Sequence, residues 1–192
     1  MNHQAEYQAL KQRLASLEAL LRDARTREKR VDQLVDHIAG ETDFERVIER
    51  VAQYARELVQ ADTVLIPLID EGGQSYTYQA ATGKLADEIL GDSMPMQVGM
   101  CGWVLRNRQS LLFGESQQVA MEDLSRWEAG MESALLVPLK SRGRYIGGIS
   151  ALGKAGGGSF TEADQALLEL FANHVSLIID RSNVYRQLEE QK

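Results

Sequence analysis

The most informative part of the chain is Val98-Gly99-Met100-Cys101-Gly102-Trp103-Val104, which is followed by Ser110-Leu111-Leu112. Two glycines bracket a Met-Cys pair, and an aromatic and a β-branched residue then lead into residues 105–108. This pattern predicts a helix near Cys101–Arg108 and a short strand over Ser110–Phe113. The segment offers a thiol, a thioether and an indole together, and these are the side chains of a candidate pocket.

The composition is that of an ordinary folded protein. A chain of 192 residues is long enough for one domain with a substantial core and one or two extra elements. The formal charge of −7 argues against nucleic acid and anionic membranes, because both favour a basic face. The single cysteine forms no disulfide within the chain, the N-terminus lacks a signal-peptide pattern, and no apolar run approaches the ~20 residues that span a bilayer. We therefore predict a cytoplasmic protein.

Residues 1–40 carry the spacing of a coiled-coil helix. Apolar residues alternate steps of three and four, and Glu28 is the one charged interruption. No Gly or Pro breaks the stretch, so it predicts one long helix whose narrow apolar seam suits a partner helix. The alternative is a helix folded back on its own domain. The seam consists of Tyr7, Leu10, Leu14, Leu17, Leu21, Ala24, Val31, Val35 and Ile38.

Three more helices are predicted outside the central motif. Thr42 followed by Glu45 fits a capping box, and the helix after it runs to about Gln60 with a wide core-facing stripe. A short helix over Lys84–Leu90 is followed by a loop. Thr161 is predicted to cap the last helix, which continues with heptad steps towards the C-terminus.

Two β-hairpins are predicted between these helices. The first pairs residues 63–70 with residues 75–81 across a Glu-Gly-Gly-Gln turn, and the second pairs residues 134–140 with residues 145–153. Pro67 has no N–H to donate, so it needs an edge strand, a bulge or a position where its nitrogen is free. Helices and hairpins in this order predict an antiparallel sheet covered by helices.

The motifs resemble those of a GAF domain, over roughly residues 41–183. The resemblance implies an α+β fold with a six-stranded antiparallel sheet, helices packed on one face, and a small-molecule pocket on the other. It also implies a sensory or regulatory module whose terminal helices pair in a parallel homodimer. The motifs, in order, are Phe44–Leu58, Thr63–Asp70, Gly99–Val104 with Ser110–Leu112, Ala134–Leu139, Tyr145–Leu152 and Phe160–Asp164.

The pocket implied by the resemblance combines aromatic walls with a few polar groups. Such a lining suits a small apolar or aromatic ligand, whose identity is unknown. The alternative is that these side chains only fill the core and that the domain is a ligand-free dimerisation scaffold. The predicted lining consists of Tyr76, Tyr78, Met100, Cys101, Trp103, Glu115, Trp127 and Met131.

Cys101 raises two chemical alternatives. The free methionine-(R)-sulfoxide reductases resemble GAF domains, but their thiol cycle usually requires a second, resolving thiol, and this chain has one cysteine. Relatives that attach a bilin through cysteine usually place a histidine beside it, and none follows Cys101. At a helix N-terminus the thiol is either activated for redox sensing or packed as a small hydrophobe. We predict packing, and no enzyme activity.

No metal site or known cofactor motif is predicted. His3, His37 and His174 are scattered along the chain without ligand spacing around Cys101. The Asn-Lys-x-Asp-type motif of cyclic-nucleotide-binding GAF domains is absent, and the Gly-rich segment 155–159 lacks the lysine of a phosphate-binding loop.

The sequence therefore predicts a ligand-sensing module of a bacterial signalling protein. Residues 1–40 form a coiled-coil helix, residues 41–183 form the sensory domain, and residues 184–192 extend the last helix towards a missing output domain. A diguanylate cyclase or histidine kinase output is implied by the family alone. The predicted partners are a second copy of the chain and the ligand, with neither nucleic acid nor a membrane.

Overall fold

The computed structural model describes residues 3–114 and 124–191. Apart from one short strand, the helices and strands in these ranges follow one another in the order that the motifs predict. The helices are α1 (His3–Ala39), α2 (Phe44–Val59), α3 (Ala86–Ile89), α4 (Gly99–Asn107) and α5 (Glu162–Glu190). The strands are β1 (Ala61–Ile69), β2 (Ser75–Gly83), β3 (Ser93–Pro95), β4 (Leu111–Phe113), β5 (Ala134–Ser141) and β6 (Arg144–Lys154).

These strands form one antiparallel sheet in the order β3-β2-β1-β6-β5-β4. Both predicted hairpins are present. Pro67 lies in the central strand β1, where the register with β2 shifts between Ile66 and Pro67, so a bulge accommodates its missing N–H. A Cβ on Gly147 of β6 would lie 2.2 Å from the carbonyl oxygen of Pro67, so only glycine fits beside this bulge.

Alternation along the strands divides the core into two clusters. In β5, Leu135, Val137 and Leu139 point to one face, while Ala134 and Leu136 point to the other. We call the first group of side chains the back cluster. It packs one sheet face against α2, α5 and the C-terminal part of α1, and its largest members include Phe44, Ile48, Phe160, Leu168, Phe171 and Ile179. This face carries the helical layer that the sequence predicts.

The opposite sheet face carries the front cluster, which also packs against α3 and α4. Its buried members are Leu65, Tyr76, Tyr78, Ile89, Met100, Cys101, Val104, Leu105, Leu111, Ala134, Leu136 and Leu152. Partly buried side chains surround them, including Met94, Met96, Trp103, Trp127 and Met131. Two short helices therefore lie on the face expected to hold the pocket.

The long helix α1 has two different halves. Val31 and Ile38 are fully buried in the back cluster. Next to them α1 runs parallel to α5, since Asp32 lies 3.8 Å from His174 and the Arg181 guanidinium donates to the Ala39 carbonyl at 2.9 Å. The other half exposes more than half of each large apolar side chain, namely Tyr7, Leu10, Leu14, Leu17, Leu20 and Leu21.

The helix caps confirm one prediction and correct another. Thr161 and Asp164 form a reciprocal capping box at α5, as predicted. At α2, however, the N-cap is Asp43, whose side chain accepts from the Arg46 N–H at 2.9 Å, and not Thr42. Asp43 directly precedes the first helical residue and presents a charged acceptor to the positive helix end, so it displaces the threonine.

One further difference concerns a short element. The loop predicted after Lys84–Leu90 contains strand β3, which pairs Ser75 with Pro95 and Thr77 with Ser93 at the edge of the sheet. A strand of three residues is too short to show the alternation of apolar and polar side chains by which a strand is recognised in a sequence.

No helix within residues 3–114 and 124–191 is long and apolar enough to cross a membrane.

Candidate functional site

The candidate site is the polar part of the front cluster, where α4 meets β2. Tyr76 and Tyr78 are two residues apart on β2, so both point to the same face, and their rings meet edge to face at 5.6 Å. Trp127 extends this wall, with its ring centroid 5.7 Å from that of Tyr78. The Tyr76 hydroxyl donates to the Val98 carbonyl at 3.0 Å and so fixes the start of α4.

A buried carboxylate holds the N-terminus of α4 in place. Glu128 is 4% exposed, and its two oxygens accept from the backbone N–H groups of Met100 at 2.7 Å and Ser125 at 2.8 Å. The residue before α4, Val98, offers no side-chain cap, so Glu128 supplies the acceptor from 28 residues away. Gly99 has φ +78°, and a Cβ there would lie 2.6 Å from a Glu128 oxygen. Glycine is therefore required for this contact.

The charge of Glu128 has no cationic partner. Among the described residues, no Lys, Arg or His side chain lies within salt-bridge distance of it. Two charge-assisted hydrogen bonds and the positive end of α4 stabilise the buried carboxylate instead. The front cluster is thus an electronegative apolar environment.

This environment keeps the neighbouring acidic groups protonated. Burial, followed by the charge of Glu128, raises the pKa of the Cys101 thiol well above its ordinary value. Burial is also the largest cause that raises the pKa of the Tyr76 and Tyr78 hydroxyls, and a negatively charged Cys101 would raise both further. A thiol must ionise to act as a nucleophile, so the raised pKa disfavours nucleophilic chemistry at Cys101 near neutral pH.

Several buried polar atoms of this region have no hydrogen-bond partner within the described residues. They are the hydroxyl of Ser125 and the indole Nε1 of Trp127, together with the hydroxyl of Ser150, whose one polar neighbour among the described side chains is the weakly accepting thiol of Cys101. Ser125 and Ser150 are 4% and 3% exposed. An unpaired buried polar group costs about 1–3 kcal/mol, so these atoms have hydrogen-bonding capacity that the described residues do not use.

The structure brings most of the predicted lining residues together. Tyr76, Tyr78, Met100 and Cys101 are buried in the front cluster, and Trp103, Trp127 and Met131 pack around it. Glu115 lies outside the described residues. Within those residues, no group of three or more His, Cys, Asp or Glu side chains is placed to hold a metal ion.

Three polar residues of the site escape the sequence analysis. Glu128 is adjacent to the predicted Trp127 but stands in an irregular segment, where its role as a remote cap leaves no periodic signal. Ser125 lies in the same segment. Ser150 alternates with Ile149 and Ala151 of the back cluster, so the direction of its side chain follows from the β6 register. That register is the one signal that identifies it.

Comparison with known proteins places this architecture in one family. The family model for the GAF domain matches residues 41–180. No curated protein sequence matches the chain. Solved structures of similar fold include the GAF domain of an Acinetobacter phosphoenolpyruvate-protein phosphotransferase, with a TM-score of 0.71 and 20% identity over 84% of this chain and 98% of that one.

Two other solved structures show the range of proteins that share the fold. The free methionine-R-sulfoxide reductase of Neisseria meningitidis, in complex with its substrate, has a TM-score of 0.66 and 24% identity, over 86% of this chain and 93% of that one. The second GAF domain of DevS from Mycobacterium smegmatis has a TM-score of 0.62 and 20% identity, over 76% and 99%. The chain therefore belongs to the GAF domain family, whose members are sensory and regulatory modules of signalling proteins.

Proposed function

We propose that this chain binds a small molecule at the polar part of the front cluster and passes the signal through the paired helices of a homodimer. The observation that carries the proposal is a group of buried atoms without a strong hydrogen-bond partner among the described residues, namely Ser125 Oγ, Trp127 Nε1 and Ser150 Oγ, the last of which has only the Cys101 thiol beside it. A ligand that hydrogen-bonds to them would recover the free energy that their desolvation costs. The aromatic wall of Tyr78 and Trp127 suits an apolar or aromatic ligand body.

The site favours binding over thiol chemistry. Cys101 is 2% exposed, its pKa is raised by burial and by Glu128, and it is the one cysteine of the sequence. A reductase of the free-methionine-sulfoxide type needs an ionised thiol and a second thiol to resolve the intermediate. We therefore propose a binding module and not an enzyme, with Cys101 in a packing role.

The exposed half of α1 supports pairing with a second copy. Its apolar stripe has heptad spacing and nothing in the described structure covers it. In a parallel, in-register pair, the residues beside the stripe meet across the two chains. Two of these contacts in the exposed half join opposite charges, between Glu6 and Lys11 and between Arg13 and Glu18.

Contacts between the helices provide a route for the signal. α1 is tied to α5 at Asp32–His174 and at Ala39–Arg181, so a change in the pairing of α1 displaces α5. Farther along α5, the Arg186 guanidinium stacks on Phe44, 3.9 Å from the ring centroid, at the start of α2. Because a ligand acts only through its different affinities for two helix arrangements, these contacts are expected to differ between the bound and free states.

The ligand half of the proposal is tested by native mass spectrometry of the purified protein. We expect a co-purifying small molecule whose occupancy falls in Ser150→Ala and persists in Ser176→Ala. Ser176 is a matched control, since it is equally buried but its hydroxyl already donates to the Ala172 carbonyl at 2.6 Å. If no molecule is bound and Ser150→Ala raises the unfolding free energy, the unpaired hydroxyl serves no ligand. The ligand-free scaffold is then the correct function.

The dimer half is tested by sedimentation velocity at micromolar concentration. We expect a dimer for the wild type and a monomer for Leu14→Asp/Leu17→Asp, with the circular dichroism of the folded domain retained. Leu90→Asp is the control, because Leu90 is similarly exposed but lies outside α1 and α5. A monomeric wild type would refute transmission through paired helices.

A further inference from the structure

A second cleft, separate from the front site, lies where three connections meet at one end of the sheet. Its volume is about 350 Å³, and it is bounded by the turn after β1, the C-terminus of α4 and the turn between β5 and β6. Ile69, Met96, Leu105 and Tyr145 provide an apolar lining, and Arg108 and Arg144 lie at its rim.

The cations around this cleft have no carboxylate partners. Arg108 Cζ and Lys140 Nζ each lie 5.5 Å from the ring centroid of Tyr145, and Arg144 directly precedes Tyr145 in the chain. Within the described part of the chain, none of these three cations lies within salt-bridge distance of an acidic group. Arg108 and Arg144 both line the cleft, and two like charges without an ion pair among the described residues repel each other on a chain whose net charge is −7.

Arg142 shows that this arrangement is specific to one side of the hairpin. It belongs to the same turn as Arg144, but its guanidinium faces the other way, with Nε 3.9 Å from a carboxylate oxygen of Asp180. Arg142 does not line the cleft. The two arginines that line the cleft, Arg108 and Arg144, are therefore distinguished from Arg142 by the lack of an ion pair among the described residues.

We propose that this cleft binds a small organic acid, with its carboxylate between Arg108 and Arg144 and its short apolar chain on Ile69, Met96 and Leu105. Guanidinium groups bind carboxylates by paired charge-assisted hydrogen bonds, and the apolar lining removes the chain from water. The C-terminus of α4 carries about half a negative charge, which the two arginines that line the cleft outweigh. The site goes beyond the proposed function, because it shares no residue with the polar part of the front cluster.

The position of the cleft gives the bound acid a way to affect α5. A neighbouring cleft of about 420 Å³ shares Ile69, Gly73, Arg144 and Tyr145 with it and is lined on its other side by Ile179 and Asn183 of α5. The β5–β6 turn thus forms a wall of both clefts. An acid bound at Arg144 therefore contacts the hairpin that also borders the C-terminal half of α5.

The experiment compares three probes with matched features on the full chain at low ionic strength. Octanoate has both a carboxylate and an apolar chain. Octylammonium has the same length of chain with a positive charge, and acetate has the carboxylate without the chain. NMR or calorimetric titration is expected to show saturable binding for octanoate. Acetate is expected to bind at least about tenfold more weakly, and octylammonium not to bind.

The variants identify the site. Arg108→Gln/Arg144→Gln is expected to weaken octanoate binding by about tenfold or more, whereas Arg142→Gln changes it by less than about twofold. All three arginines are exposed, so the variants fold. Ser150→Ala is expected to leave octanoate binding unchanged, which separates this site from the polar part of the front cluster. Equal binding of octylammonium, retention of octanoate by the double variant, or no octanoate binding by the wild type would each overturn the proposal.

Discussion

The two faces of the sheet bury their polar groups in opposite ways. Next to the back cluster, Ser141 donates to Asp180, Ser176 to the Ala172 carbonyl and Ser182 to the Ile179 carbonyl. In the front region, Ser125 and Ser150 are buried to a similar degree but have no partner in the described structure. The hydroxyls of the back-face serines are therefore satisfied within the fold, whereas those of the front-face serines have hydrogen-bonding capacity that the described residues do not fully use.

The helices of the two faces also differ in how they are capped. On the back face, Asp43 and Thr161 each accept from an N–H three residues later. On the front face, α4 takes its acceptor from Glu128, which lies 28 residues later in the chain than Met100. The back helices are thus specified locally. The position of α4 depends on tertiary contacts at the site itself, so a ligand that moves Glu128 moves α4.

The largest expected effect comes from the back face. Phe171 is fully buried on α5, and Phe171→Ala is expected to lower the free energy of unfolding by about 3–5 kcal/mol, through lost burial and the cavity left behind. Urea denaturation followed by circular dichroism measures this change. Leu177→Ala on the same helix is the control, since Leu177 is about half exposed and is expected to change stability by less than ~0.5 kcal/mol. Similar effects for both variants would contradict the assignment of the back cluster as the stabilising core.

The next effect concerns the front face at alkaline pH. Since the pKa values of Cys101, Tyr76 and Tyr78 are raised in the folded state, the unfolded chain loses these protons first as the pH rises. The stability they contribute is complete below the unfolded pKa values, about 8.5 for cysteine and 10 for tyrosine, and declines above them. Each group is expected to lower the unfolding free energy by about 1.4 kcal/mol per pH unit. Urea midpoints between pH 7 and 10.5 measure the decline.

A variant isolates the thiol in that experiment. Cys101→Ala removes one titrating group, so between about pH 8.5 and 10 its stability is expected to fall less steeply than that of the wild type. The tyrosine contribution above about pH 10 remains. Parallel curves for the two proteins would mean that Cys101 ionises equally well in both states, and the thiol would again be a candidate redox sensor.

How far the sequence predicts the molecule depends on the range of the interactions. The strand pairs, the Thr161 cap and the core stripe of α2 arise from neighbours within a few residues, and they are present as predicted. For Pro67 the sequence allows an edge strand, a bulge or a free nitrogen, and the structure has the bulge. The sequence does not choose among the three, because the position of β1 in the sheet depends on strands that come later in the chain. Glu128 and the unpartnered serines depend on contacts between distant segments, for which a single sequence carries no periodic signal.

Glu128→Gln probes the remote cap with a smaller change. The amide has the same shape, but its NH₂ group faces one of the two backbone N–H donors, so one hydrogen bond is lost. The expected cost is about 1–3 kcal/mol in the free energy of unfolding. Removing the carboxylate charge also lowers the pKa of Cys101, although burial still keeps it above its ordinary value. Thiol modification of the folded protein is therefore expected to accelerate. Unchanged stability and unchanged thiol reactivity together would show that Glu128 does not hold α4.

The smallest effects are expected from variants that remove the local N-caps of the back-face helices. Thr161→Ala and Asp43→Ala each remove an acceptor from a helix N-terminus, and each is expected to cost about 1 kcal/mol. Thr42→Ala is expected to change stability by less than ~0.5 kcal/mol, because Asp43 and not Thr42 is the N-cap of α2. Urea denaturation of the three variants measures the differences. A cost for Thr42→Ala equal to that for Asp43→Ala would restore the capping box expected from the sequence. It would also mean that α2 begins one residue earlier in solution, with Asp43 as its first helical residue.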